Sequence, residues 1–300
     1  MMSVIIFGAS GFLGRNLMWH LASAGHDVVG TYNSRAAPGL VKFDLANPNL
    51  STLEQTGSAA RNSQGFHFAV ICSSITMMDE CLEKPGPSYA VNVAGVKSLV
   101  DQLLARNIKP VFISTDYVYD GLSGSYSEDD ERRPVLAYGR QKKEVEDYLM
   151  QSGREYLLVR LARLYSCNPA EGTLLTSIAG DLGQGKRLKL ASDQVFNPTH
   201  VYDVCSAISL MMRNKMSGAY NVCAGEAMSR HGVGVMVKEA LGIKTGKIEQ
   251  CSLSEFSFPD KRPLNTSMAN RKFVSETGFS FRSVSESLSY LVDSYGKIRQ

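Results

Sequence analysis

Several things are missing from this chain, and each absence removes a class of function. There is no CxxC pair and no cysteine–histidine cluster at zinc-ligand spacing; the six cysteines, at 72, 81, 167, 205, 223 and 251, are scattered. A zinc module or a thioredoxin-like redox pair is therefore not expected, nor any metal site. Scattered thiols fit a reducing compartment, where cysteine acts as a small core residue. No apolar run approaches the roughly 20 residues that cross a bilayer. The formal net charge is only +3, and no basic run is longer than Lys142-Lys143 or Arg132-Arg133. Neither nucleic acid nor an anionic membrane is an expected partner. Met1-Met2-Ser3 leads straight into a strand pattern, without the charged and apolar segments of a leader, so the expectation is a cytoplasmic protein.

What remains is a chain of 300 residues, 44% of them hydrophobic, enough for one large domain or two closely packed lobes. Its first half alternates short apolar runs with helical patterns. Strands are predicted at 3–7, 27–32, 40–45, 66–73, 109–115 and 155–165, and helices at 12–24, about 87–106 and 137–150. "FAVIC" and "VFIS" are apolar on both faces, as strands of a parallel sheet covered by helices on both sides must be. The expected fold is α/β, a doubly wound Rossmann-type parallel sheet. Beyond about residue 166 helical patterns at 173–183, 199–214 and 229–241 dominate, with short strands near 186–190, 218–223 and 246–251. This reads as a smaller C-terminal α/β substrate lobe (167–300) following a dinucleotide-binding domain (1–166), in a chain free to cross between them.

"FGASGFLG" (7–14) joins the first strand to the first helix. Gly8 permits a tight turn, Gly11 lets backbone approach a pyrophosphate, and Gly14 allows close helix–sheet packing. Ser10, Phe12 and Leu13 complete the loop, whose N–H groups at a helix start suit phosphate. A lone glycine triplet is also an ordinary turn; its strand–turn–helix setting is what favours a dinucleotide. An NAD site usually carries an acid about 20 residues further on. The second strand instead ends "GTYNSRAAPG" (30–39), offering Asn33, Ser34 and Arg35, with Arg15 just past the loop. An arginine there pairs with a 2′-phosphate or is simply solvated. NADP(H) is favoured, and NAD(H) stays open.

In "AYGRQKKEVEDYLM" (137–150), Tyr138 and Lys142 lie four apart on one helix face. By itself this is also the spacing of an ordinary wet helix, with its Lys, Glu and Asp in water. The buried strand "FIST" ends in Ser114-Thr115-Asp116, polar groups at the carboxyl end of a parallel strand, where ligands bind in this architecture. Those groups also suit a turn cap. A hydroxyl at Thr115 can hold a substrate oxygen, and the glycine loop and this strand end together favour a functional reading of Tyr138 and Lys142.

"GASGFLG", "STDYVYDG" and "YGRQK" together resemble the extended short-chain dehydrogenase/reductase family, and more narrowly the dTDP-4-dehydrorhamnose reductase group. "NPTHVYDV" (197–204), "GAYNVCAGEAMSR" (218–230) and "RPLNTSM" (262–268) extend the resemblance over nearly the whole chain. It implies that Thr115 binds the substrate oxygen, that Tyr138 is the general acid or base, and that Lys142 binds the nicotinamide ribose and depresses the tyrosine pKa. Asp44 and Leu45 would flank the adenine, and Cys72, Ser73 and Ser74 would line the cofactor. Thr76, Met78, Asp116 and Tyr117 would frame the sugar, with Asn197 reaching the substrate from the smaller lobe; Arg163, at the end of the sixth strand, either contacts an acidic group of the substrate or pairs with a local carboxylate. The implied substrate is a 4-keto-6-deoxysugar nucleotide, the implied assembly a monomer or homodimer.

Two departures narrow this. Tyr117 stands where sugar-nucleotide dehydratases have a glutamate, so elimination of water lacks its usual base and simple reduction remains. Arg163, in "RLARLY", stands where the rhamnose-forming group has an aromatic side chain, and the only tryptophan is Trp19 in the first helix. Two alternatives follow: a reductase of a ketone or aldehyde that is not a sugar nucleotide, and a non-catalytic NAD(P)-binding regulatory subunit, since the resemblance extends to that of methionine adenosyltransferase.

Overall fold

The computed structural model describes residues 1–55 and 65–298. In chain order the elements begin with β1 (Ser3–Phe7), α1 (Phe12–Ser23), β2 (Asp27–Tyr32), β3 (Leu40–Lys42), α2 (Ser51–Gln55) and β4 (Phe68–Ile71). Next come α3 (Met78–Glu83), α4 (Pro85–Tyr89), a π-helical turn at Ala90–Gly95, α5 (Val96–Ala105), β5 (Lys109–Thr115), α6 (Ala137–Gln151) and β6 (Leu157–Leu161). The remainder comprises β7 (Leu164–Tyr165), α7 (Leu174–Gly183), β8 (Arg187–Ala191), β9 (Val195–Phe196), β10 (Thr199–His200), α8 (Val201–Arg213) and β11 (Gly218–Val222). It closes with β12 (Met228–Ser229), α9 (Arg230–Ala240), β13 (Lys247–Cys251), α10 (Arg271–Thr277) and α11 (Val284–Ile298).

A seven-stranded sheet, in the order β11-β6-β5-β4-β1-β2-β3, carries the site. β1 pairs in parallel with β2 and β4, β2 with β3, and β4 with β5. This is the doubly wound arrangement that the βα alternation predicts. β1 and β4 are buried along their whole lengths, which their unbroken apolar runs require. The chain leaves β1 in one direction and returns to β4 on its other side. The carboxyl ends of β1 and β4 therefore flank the crevice where sheets of this type bind ligands. Helices cover the sheet through amphipathic stripes. α5 buries Val96, Leu99, Val100 and Leu103, at the i, i+3, i+4, i+7 spacing of one helix face. Each such side chain contributes about 1.5–3 kcal/mol when fully buried.

The chain folds as two compact units. One comprises Met1–Val118, Leu136–Arg160 and Cys205–Tyr220; the other comprises Tyr119–Val135, Leu161–Val204 and Asn221–Gln300. Residues 119–135, which the sequence places in the first domain, thus belong to the second unit, and 205–220 return to the first. The segment 155–165 is not one strand: β6 ends at Leu161, and Leu164–Tyr165 pair with Thr199–His200 in a separate two-stranded sheet. The strand read near 218–223 is β11, at the edge of the main sheet rather than in the smaller lobe. A period-2 pattern identifies a strand without saying which sheet it joins. β3 and β4 are shorter than expected, and the sequence reading has no counterpart for α3, α10 or α11.

The second unit has its own core, in which Tyr165, Leu175, Ile178, Leu182, Val233 and Leu291 are among the buried residues. All six cysteines are free, and five of them are buried, as small core residues are.

Candidate active site

The loop after β1 is shaped by what its glycines lack. Gly8 takes φ +85°, and a Cβ there would sit 2.7 Å from Ser73 Oγ and 2.8 Å from the Ser73 amide nitrogen. The loop after β4 is thereby held directly against the loop after β1. Gly8 donates its N–H to Thr31 Oγ1 at 3.2 Å, and Ala9 donates to the Thr31 carbonyl at 2.8 Å, which ties the turn to β2. A Cβ on Gly14 would collide with the Gly8 carbonyl, so only glycine lets α1 start this close to the strand. Gly11 has an ordinary φ of −79° and open space beside it, apart from the Gly8 carbonyl 3.3 Å away. No side chain caps α1, leaving its first turn open to an anion.

At the end of β2, Ser34 and Arg35 are exposed, and Arg15 packs over the Phe12 ring at 5.2 Å. Lys42, which sequence reasoning does not single out, reaches the same loop: its Nζ donates to the Asn33 carbonyl at 2.9 Å. Asp44 is exposed and accepts from the Ala46 N–H and the Asn47 side chain. The Leu45 side chain is instead a core residue, 3% exposed, and its carbonyl lies where a Cβ on Gly95 would stand.

Past β4, Cys72, Ser73 and Ser74 are half-buried, Thr76 is exposed and Met78 begins α3 half-buried. Asn92, in the π-helical turn, organises this loop. Its Oδ1 accepts from Ser74 Oγ at 2.9 Å and from the Ile75 N–H at 2.8 Å. Its Nδ2 donates to the Ile75 carbonyl at 2.9 Å and to Gln141 Oε1 at 2.8 Å. Gln141 in turn donates to Ser88 Oγ, so the loop after β4, the π turn and α6 share one buried network. Its only sequence signal is a polar residue inside the otherwise apolar "AVNVAG".

α6 supplies the titratable groups. Its buried face carries Tyr138, Lys142, Val145, Glu146 and Leu149. The alternative of an ordinary wet helix fails at these positions: Lys142 is 3% exposed and Glu146 not at all. Lys142 Nζ donates to the Ile113 carbonyl on β5 at 3.0 Å and sits 4.7 Å from the Phe112 ring centre and 5.7 Å from that of Tyr138. Burial pulls its ammonium down to about 8, against the opposing pull of Cys72, Glu146 and Cys81. Burial pushes the Tyr138 phenol up, and Asp116 adds to that; Ser74 works the other way through a hydrogen bond. The expectation that the tyrosine is depressed is thus not met in this structure, because desolvation of the phenolate outweighs the groups that favour it. Tyr138 holds its proton at neutral pH. On β5, Thr115 is 7% exposed. Its Oγ1 donates to Asp116 Oδ1 at 2.9 Å and accepts from the Tyr117 N–H at 3.3 Å. Asp116 is buried and Tyr117 half-buried.

The first unit thus brings together the glycine loop, Cys72–Ser74, Thr115, Tyr138 and Lys142. Two of the sequence candidates, Arg163 and Asn197, lie in the second. Arg163 is exposed, between β6 and β7. Asn197 is buried with both ends of its amide occupied: Nδ2 donates to the Ala224 carbonyl at 2.9 Å and Oδ1 accepts from the Met268 N–H at 2.7 Å. Those bonds give Asn197 a role in joining loops. Among the described residues no three or more His, Cys, Asp or Glu cluster as metal ligands, and no helix is long and apolar enough to cross a membrane.

The profile of a protein family described as the RmlD substrate binding domain matches residues 2–297. A probable low-salt glycan biosynthesis reductase, Agl14, of Haloferax volcanii is 26% identical over 97% of this chain and 97% of its own. A dTDP-4-dehydrorhamnose reductase of Mycobacterium tuberculosis is 25% identical over 90% of this chain and 86% of its own. Among solved structures, a dTDP-4-dehydrorhamnose reductase from Bacillus anthracis in complex with NADP superposes with a TM-score of 0.83 at 22% identity, over 97% of this chain and 98% of that one.

Proposed function

We propose that this chain, which belongs to the RmlD substrate binding domain family, is an NADP(H)-dependent reductase of a keto group on a nucleotide-linked sugar, with a 4-keto-6-deoxysugar nucleotide as its substrate class. The observation that carries this reading is the buried face of α6. A phenol that keeps its proton and an ammonium 5.7 Å from its ring centre lie beside a strand ending in a threonine hydroxyl. The reductase names of the relatives and the NADP complex of the fold neighbour support the same class.

The residues fit the cofactor. Gly11 leaves room for a pyrophosphate at an uncapped helix start, and Arg35, with Lys42 bonded to the Asn33 carbonyl of the same loop, gives positive charge where a 2′-phosphate would lie. NADPH, when bound, supplies the hydride. The chain's own residues manage the oxygen and its proton. Thr115 donates a hydrogen bond to the carbonyl oxygen, giving up its present bond to Asp116. Tyr138, which holds its proton at neutral pH, then transfers it to the developing alkoxide. The phenolate left behind is stabilised by the Ser74 hydroxyl and by the Lys142 ammonium, largely charged at pH 7. The site needs no acid–base pair for elimination, and Tyr117 offers none.

The test is NADPH oxidation with a panel of dTDP-, GDP- and UDP-4-keto sugars, comparing the wild type with Tyr138→Phe. Turnover by the wild type that falls at least about 100-fold in the variant is expected. Equal rates would sink the mechanism. No turnover with any sugar, combined with a stoichiometric partner whose activity the chain alters, would favour the regulatory-subunit alternative.

A further inference from the structure

Between the inner face of α6 and strand β6 lies a pair of charges that the proton transfer does not use. Glu146 and Arg160 are both completely shielded from solvent. Arg160, on β6, forks onto the carboxylate: Nη2 donates to Oε2 at 2.9 Å, and Nε reaches both oxygens at 3.2 Å. Glu146 Oε1 also accepts the hydroxyl of Ser114. One helical turn earlier, Lys142 Nζ is bonded to the carbonyl of Ile113. Two consecutive residues of β5 are therefore tied to α6 at two positions one turn apart. The next residue of β5 is Thr115, and one turn further back on α6 is Tyr138.

A buried ion pair is a poor way to stabilise a fold, because desolvating both charges offsets most of their attraction, and a well-packed apolar pair of similar volume does as well. Position and charge are the functions this pair can serve. We propose that Glu146 is a positioning residue: through Ser114 it holds the end of β5 in one frame with α6, and its carboxylate keeps the neighbouring Lys142 in the ammonium form. The inference rests on the reductase reading for its consequence in turnover. The groups facing Lys142 are the Cys72 thiol beyond β4, Cys81 on α3, Glu146 and the Tyr138 phenol on α6, and the Phe112 ring on β5. Burial pushes Cys72, Cys81 and Tyr138 up, so all three are neutral at pH 7. Glu146 is the one full negative charge in that set.

Three variants separate the two roles. Glu146→Leu combined with Arg160→Met removes both charges together, so neither is stranded. Ser114→Ala removes only the tie to the strand. Glu146→Asp keeps the charge and shortens the arm. Lys142 is titrated by NMR in isotopically lysine-labelled protein without substrate or cofactor, its signal identified by its loss in Lys142→Arg. The double variant should lose the Lys142 proton about one pH unit lower than the wild type. Ser114→Ala and Glu146→Asp should leave that titration within a few tenths of a unit of the wild type and lower kcat by about fivefold or more. If the double variant fails to fold, Glu146→Asp and Ser114→Ala still decide the positioning role. An unchanged kcat in both overturns it, and an unchanged Lys142 titration in a folded double variant overturns the charge-setting role. A wild type that oxidises no NADPH counts against the reductase reading alone, because the titration uses neither substrate nor cofactor.

Discussion

The ends of β1 and β5 solve different problems with different materials. At the end of β1 the chain works by omission: Gly8 sits against Ser73, Gly14 against the Gly8 carbonyl, and no side chain caps the start of α1. At the end of β5 and on the facing helix it works by presence. A hydroxyl, a phenol, an ammonium and a carboxylate are taken out of water and set against one another. A backbone site is indifferent to pH and intolerant of a single added carbon. A side-chain site tolerates changes of shape and depends on the charge of its neighbours.

The largest expected effect breaks the second site: Tyr138→Phe should lower kcat by about 10²- to 10⁴-fold with little change in melting temperature, measured by NADPH oxidation and thermal unfolding. Next, Gly14→Ala should destabilise the fold by about 3 kcal/mol or prevent it forming, because the added carbon meets backbone rather than a movable side chain. Gly11→Ala sharpens the contrast. Its φ is ordinary and its nearest neighbour 3.3 Å away, so denaturant unfolding should change by about 1 kcal/mol or less while cofactor binding weakens.

Lys142→Met should separate stability from function. The folded-state pKa is lowered from 10.5 to about 8, so between those values the unfolded chain binds more protons than the folded one. Wild-type stability should therefore rise as pH goes from about 8 to 10.5, and below 8 the buried ammonium is a standing cost. The methionine variant should melt above the wild type at pH 7 and lose turnover; a lower melting point would show that the bond to the Ile113 carbonyl matters more than desolvation. The smallest effect is expected at the cofactor's edge. Arg35→Ala should weaken NADPH binding by about tenfold and leave NADH binding unchanged, read by fluorescence titration.

The parts legible in the sequence were those encoded locally. The glycine triplet lies within seven residues, and Tyr138 and Lys142 are one turn apart, so chain geometry alone puts them side by side. Glu146 with Arg160, and Asn92 with Gln141, are pairs 14 and 49 positions apart. Nothing in "KKEVED" marks Glu146, the second of its two glutamates, as buried, because helix periodicity gives a face without saying what covers it. The same limit sent β11 to the wrong lobe and treated residues 155–165 as one strand. Asn197 looked like a ligand-facing amide and is spent on the Ala224 carbonyl and the Met268 N–H, partners 27 and 71 positions away.

By itself the sequence determined the βα rhythm, the glycine loop and the spacing of the phenol and the ammonium, since hydrophobic period and local backbone freedom act over a few residues. Only the tertiary structure decided the protonation of those groups. A tyrosine pushed up and a lysine pulled down are consequences first of burial, with Asp116 at the end of β5 adding to the first and Glu146 opposing the second, and desolvation has no value until the chain has closed around them.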